Sequence, residues 1–124
     1  MSVNKVILIG NLGGDVKLRY FDNGGVVCRF SLTTSETYSS KSGEKIIDTE
    51  WHSIVASNKL AELCNSCLSK GDKIYLEGKI KKRKWQDTEG NDRYTTEVRM
   101  LSVTFLHTKN SKYSSGPFSK NTTF

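Results

Sequence analysis

The sequence predicts an all-β domain with one short helix, arranged as a five-stranded Greek-key barrel with long β-hairpin loops. Three observations carry that prediction. Apolar and polar residues alternate with a period of two in several separate stretches, the pattern of half-buried strands. Strong turn signals, Asp22-Asn23-Gly24-Gly25 and Thr88-Glu89-Gly90-Asn91-Asp92, separate those stretches. A single stretch with helical periodicity lies between the third and fourth of the long strands.

The first strand is expected from Val3 to Leu12. Val6-Ile7-Leu8-Ile9 is apolar on both faces, so both should be covered, the outer one by another subunit. Gly10, Gly13 and Gly14 bend or end it. Lys17 to Phe21 is a short second segment. From Val26 to Thr37, Val26, Cys28, Phe30 and Leu32 point one way, and Arg29, Ser31 and Thr33 the other. Tyr38 to Lys45, rich in Ser and Lys, reads as a flexible hairpin loop. Ile47 to Ser57 is the next strand, with Trp51, Ser53 and Val55 on one face.

Lys59 to Lys70 is the helix. Leu60, Leu63, Cys64, Cys67 and Leu68 form one apolar stripe, Ser57 or Asn58 can cap its start and Gly71 its end. Lys73 to Asp87 and Arg93 to Leu106 form the last hairpin, with Val98, Met100 and, after a shift, Val103 and Phe105 as apolar positions. Residues 1–106 make one domain. The stretch 107–124 is Ser-, Thr-, Asn- and Lys-rich without acidic residues, and is expected to be a flexible tail. A small Greek-key barrel with its helix in this place has the OB-fold order, in which one sheet face and the hairpin loops bind oligonucleotides.

The most informative stretch is Lys79-Ile80-Lys81-Lys82-Arg83-Lys84, followed by Trp85. On a strand, Tyr75, Glu77, Lys79, Lys81, Arg83 and Trp85 share one face, and Ile74, Leu76, Gly78 and Ile80 the other. The first face is a row of cations ending in an indole, and the second is a core strip. Cations beside an exposed aromatic suit a single-stranded nucleic acid, whose phosphates need charge and whose unpaired bases need a flat surface. A solvated edge strand, whose lysines deter aggregation, is the plainer reading of the same run. The formal net charge of +6 and a pI of about 9.3 favour a polyanionic partner.

Composition also excludes. No apolar run is long enough to span a bilayer. The start, Met1-Ser2-Val3-Asn4-Lys5, leads straight into a strand pattern, so no targeting peptide is expected. The three cysteines have no disulfide-framework spacing, which points to a reducing compartment. Cys64 and Cys67 form a C-x-x-C pair but fall on the helix stripe, and a structural zinc needs about four ligands, so core packing is the reading. His52 has no neighbouring constellation that would make it a catalytic base or metal ligand. No catalytic residue, metal site or cofactor is expected.

Six blocks stand in the order and spacing of the bacterial-type single-stranded DNA-binding proteins: Val3-Asn4-Lys5-Val6-Ile7-Leu8-Ile9-Gly10-Asn11-Leu12-Gly13, Thr49-Glu50-Trp51-His52, Lys59-Leu60-Ala61-Glu62, Tyr75-Leu76-Glu77-Gly78, Arg83-Lys84-Trp85-Gln86-Asp87 and Gly90-Asn91-Asp92-Arg93-Tyr94-Thr95-Thr96-Glu97. The chain resembles that family over residues 3–106. The resemblance implies an OB-fold that assembles as a homotetramer and wraps single-stranded DNA in replication, recombination and repair, in the bacterial cytoplasm. It implies that Trp51 and Trp85 are base-stacking platforms, with Tyr38 as a third. It implies DNA contacts from Lys5, Arg19, Lys59, Lys70, Lys81, Arg83 and Lys84, and subunit-interface roles for His52 and Tyr75.

Two departures stand out. The family commonly has a phenylalanine where this chain has Ser57; extra lysines at 79, 81 and 82 are expected to offset part of that loss. The family's acidic C-terminal tip, which recruits replication and repair enzymes, has no counterpart around Pro117-Phe118. A dimeric OB-fold adaptor and an OB-fold nuclease are the other classes compatible with the fold. The paired tryptophans argue against the first, and the lack of a carboxylate cluster against the second. RNA remains open as a ligand, since a stacking platform accepts any unpaired base.

Overall fold

The computed structural model describes residues 1–108 and the backbone of residues 117–119. The elements are β1 (Val6–Leu12), β2 (Lys17–Tyr20), β3 (Val26–Ser39), β4 (Lys45–Ser57), α1 (Asn58–Cys67), β5 (Lys73–Gln86), β6 (Asp92–His107) and β7 (Pro117–Ser119). The sheet order is β1-β5-β6-β4-β3-β2, and β1 also pairs with β3, so five strands close on themselves as an OB-type barrel. Closure is narrow: Asn11 and Leu12 of β1 meet Thr33 and Leu32 of β3. Gly10 makes that approach possible, because a Cβ there would overlap the backbone carbonyl of Thr33.

The inward side chains follow the alternation. Cys28 and Leu32 of β3, Ile54 and Ala56 of β4, and Ile74 and Leu76 of β5 have no exposed surface. On β6 the shift expected after Met100 is a bulge: Glu77 pairs with Ser102 but Gly78 with Met100, which leaves Leu101 unpaired. The extra residue reverses the strand's faces, so Val98 and Met100 point inward before it and Val103 and Phe105 after it.

Helix α1 closes one end of the barrel with Leu60, Ala61, Cys64 and Cys67. The two cysteines are core residues; Cys64 Sγ donates to Met100 Sδ at 3.9 Å. A hydrogen bond with Cys28, together with burial, pushes the Cys64 thiol well above its usual range. The helix ends earlier than its periodicity suggests, since Leu68 is already extended. Asp72 accepts the Ser69 N–H at 2.9 Å, and this turn, rather than a glycine cap, stops the helix. Gly71, at a φ of +93°, serves the turn three residues beyond Leu68.

Two further expectations change. The stretch Tyr38–Lys45 is ladder at both ends, with Tyr38 paired to Ile46 and Ser39 to Lys45, so the loop shrinks to the Ser40–Glu44 tip. Ile80 is not part of the core: it is 50% exposed, beyond the end of the barrel. Asn4 brackets it instead, accepting the Ile80 N–H and donating to its carbonyl, both at 2.9 Å. Within the stretch expected to be a tail, His107 ends β6, and β7 pairs with β6 at Ser102–Thr104. Residues 109–116 and 120–124 lie outside the described residues.

Candidate nucleic-acid interface

Beyond the barrel, the β3–β4 and β5–β6 hairpins extend as two arms. Between them β4 and β6 are joined by a short parallel contact at Ile54↔Val98 and Val55↔Arg99. The residues that alternate with the core positions form one outward wall across β5, β6, β4, β3 and β2. Trp51 and Ser53 of β4 lie opposite Thr33 and Ser31 of β3. Arg83 and Trp85 of β5 lie opposite Thr95 and Arg93 of β6.

Both tryptophans stand on this wall, Trp51 65% exposed and Trp85 40% exposed. Each is held by a specific neighbour. Trp85 Nε1 donates to Thr95 Oγ1 at 2.8 Å, which sets the plane of its ring. Trp51 lies against Gly13, where a Cβ would overlap the ring.

The same wall holds a cleft of about 400 Å³, lined by Arg29, Ser31, Ser53, Arg83, Thr95 and Glu97 with Gly14, Asp15 and Lys17. Glu97 is buried at its centre, 8% exposed. Its carboxylate receives Arg83 Nε at 3.3 Å and Arg29 Nε at 3.4 Å. One buried anion therefore fixes two arginines whose other guanidinium nitrogens remain available for phosphate.

The structure brings together some expected site residues and separates others. Trp51, Trp85, Lys81 and Arg83 share the wall by register. Arg19 joins it on β2, stacked over the Phe21 ring at 5.3 Å. Lys84 falls on the opposite face of its strand and pairs with Asp92 at 3.4 Å. Lys82 takes that face too, opposite Thr96. Tyr38, 52% exposed, shares its strand face with Thr34 rather than with Thr33, the partner of Trp51. Lys59 is exposed in the first turn of α1. Lys70 follows α1, where its N–H donates to Asp15 at 3.0 Å.

Lys5 pairs with Glu77 at 3.0 Å. Glu77 also receives the Tyr75 hydroxyl at 2.8 Å. That bond raises the Tyr75 phenol and, with Lys5, holds Glu77 below the usual carboxylate range. His52 shares a hydrogen bond with Thr34 Oγ1 at 2.8 Å. It lines a second cleft of about 430 Å³ with Trp51, Ser53, Val6, Leu8, Ile80, Thr96 and Val98. Tyr75 and His52 therefore occupy different surfaces.

Sequence reasoning missed Arg29, Lys17 and Arg99 as wall residues. The alternation placed Arg29 opposite its core neighbours, but without the strand order nothing put it beside Arg83. Ser57, where an aromatic is usual, does not cap α1 with its side chain. Its hydroxyl accepts from Arg99 Nη2 at 3.4 Å.

A closed OB-type barrel whose outer wall combines cations with two exposed, oriented indoles belongs to the oligonucleotide-binding class of barrels. Within that class, residues 3–106 match the model of the single-strand binding protein family, and the chain belongs to that family. It is 48% identical over 118 residues to the single-stranded DNA-binding protein of Bacteroides thetaiotaomicron, covering 94% of this chain and 73% of the relative. Its fold is similar to that of the Plasmodium falciparum SSB in complex with ssDNA (TM-score 0.74, 30% identity, 86% of this chain and 96% of that one). It is also similar to a deletion mutant of the single-stranded DNA binding protein from Thermus aquaticus (TM-score 0.71, 25% identity, 85% of this chain and 51% of that one). Membership makes the chain a binding protein rather than an enzyme. Among the described residues, no helix is long and apolar enough to cross a membrane.

Proposed function

We propose that this protein binds and protects single-stranded DNA without reading its sequence. The observation that carries the proposal is the outward wall: it exposes Trp51 and Trp85 and holds a cleft in which Glu97 presents Arg29 and Arg83. Bases stack on the indoles while phosphates meet the arginines and Lys17, Arg19 and Lys81. Residues 1–106 act as the binding domain, and the reading extends to replication, recombination and repair in the bacterial cytoplasm.

Assembly as a homotetramer belongs to the same reading. Ile7 and Ile9 on β1 are 55% and 51% exposed. Among the described residues, the edge of β1 away from β5 is paired only at Asn11 and Leu12. A second copy of this chain would cover both features.

An oligo-dT length series, followed by tryptophan fluorescence and by the mass of free and bound protein, tests the proposal. Quenching is expected, with affinity falling steeply in salt; about four neutralised phosphates would give a log–log slope near −3. Absence of quenching would remove the stacking role, and a slope near zero the electrostatic one. A parallel oligo-U titration distinguishes DNA from RNA.

A further inference from the structure

The register places a row of cations across the sheet, at right angles to its strands. Lys17 of β2 pairs with Arg29 of β3. Arg29 pairs with Val55 of β4. Val55 pairs with Arg99 of β6, and Arg99 with Lys79 of β5. All five residues alternate with buried core positions, so all face outward. With strands spaced about 4.8 Å apart, the row spans roughly 19 Å of the barrel wall.

As a folded-state device the row is unfavourable. Lys17–Arg29 and Arg99–Lys79 are like charges directly opposite one another, a destabilising arrangement in a sheet. Among the described residues, no carboxylate pairs with Lys17, Arg99 or Lys79. The nearby Glu97 is shared by Arg29 and Arg83, and Asp15 accepts the Lys70 N–H. Arg99 has a neutral hydroxyl, Ser57 Oγ, at 3.4 Å. Deterring edge aggregation does not account for Arg99 and Lys79, because β5 and β6 have a neighbour on each side at these positions or beside them. The row bears no aromatic residue, so the ligand it suits is a chain of phosphates whose bases face elsewhere.

We propose that Lys17, Arg29, Arg99 and Lys79 form a phosphate track, which starts at the Glu97 cleft with Lys17 and Arg29 and carries single-stranded nucleic acid on across the barrel wall over Arg99 and Lys79. This deepens the function proposed above and rests on it. Base stacking at Trp51 and Trp85 holds a short strand, and a longer strand continues across the row by charge alone. Arg99 stands beside Ser57, so a guanidinium takes over contact near the position where a stacking ring is missing.

The test is a salt titration of the full chain carrying Lys79→Gln and Arg99→Gln together; Lys17 and Arg29 are kept because they line the cleft. On long oligo-dT, losing two contacts should flatten the log–log slope by about 1.4, at about 0.7 per phosphate. On the shortest oligo-dT that still quenches the tryptophans, affinity and slope should match the parent protein. An abasic deoxyribose-phosphate oligomer should compete for the parent better than for the double variant.

In the opposite direction, Val55→Lys fills the gap in the row and should steepen the slope on long oligo-dT by about 0.7. This second variant keeps the test decisive if the double variant folds poorly. An unchanged slope on long DNA for either variant, or an equal loss on short and long DNA, overturns the track. A parent protein that neither binds nor quenches overturns the function itself, so the two failures are distinct.

Discussion

Replacing Gly13 with alanine should weaken DNA binding while leaving the fold intact. A Cβ at Gly13 would lie 3.0 Å from Trp51 Cε3 and Cη2, closer than the ordinary 3.4–4 Å, and closer still to Cζ3. The ring must move, and since Trp51 is 65% exposed it can swing outward without opening the core. The effect on stability should stay within about 0.5 kcal/mol, as for other surface substitutions. Binding should lose much of one base stack, about 1–3 kcal/mol, or roughly 5- to 150-fold. Fluorescence titration of Gly13→Ala, Trp51→Ala and the double variant with oligo-dT measures this. If Gly13 acts only by seating the ring, the double variant binds like Trp51→Ala alone. A Gly13→Ala loss of the same size in the Trp51→Ala background would refute the reasoning.

Three further outcomes follow from the same geometry. Thr95→Val removes the 2.8 Å bond to Trp85 Nε1; binding should weaken by about 0.5–1.5 kcal/mol, with lower Trp85 fluorescence anisotropy in the free protein. Glu97→Gln removes the shared anion of Arg29 and Arg83. It should lower stability by about 1–3 kcal/mol in a denaturant melt, less than for a fully buried pair because both arginines are half-exposed, and should tighten DNA binding at low salt. Glu77 is held below its ordinary range by Tyr75 and Lys5, so its contribution is present above that range and is lost as pH falls through the lower folded value. Melting curves of the parent and Glu77→Gln should therefore converge as pH drops below about 4.

The strand alternation, the helix stripe and the turn dipeptides made the barrel legible, because each reports a local period that tertiary contacts only reinforce. Even the shift after Met100 showed as a break in parity at Leu101. Both tryptophans were legible as exposed candidates through their blocks, and the cationic face of β5 through its run of lysines. Other features were illegible because they depend on contacts between residues far apart in sequence. Ile80 reads as core by parity, yet it lies past the point where opposing strands close over it. Lys84 reads as part of a basic cluster, yet its odd neighbours Arg83 and Trp85 face the wall and it does not.

The sequence by itself determined the class of fold, the core residues and the residue types available for binding a polyanion, since these follow from periodicity, charge and aromatic content. Only the tertiary structure decided which cations lie together. Strand order set β6 between β5 and β4, which brought Glu97 to Arg29 and Arg83, and register aligned Lys17, Arg29, Arg99 and Lys79 in one row. The physical reason is that pairing across a barrel joins residues by hydrogen-bond register, a long-range property that local periodicity does not encode.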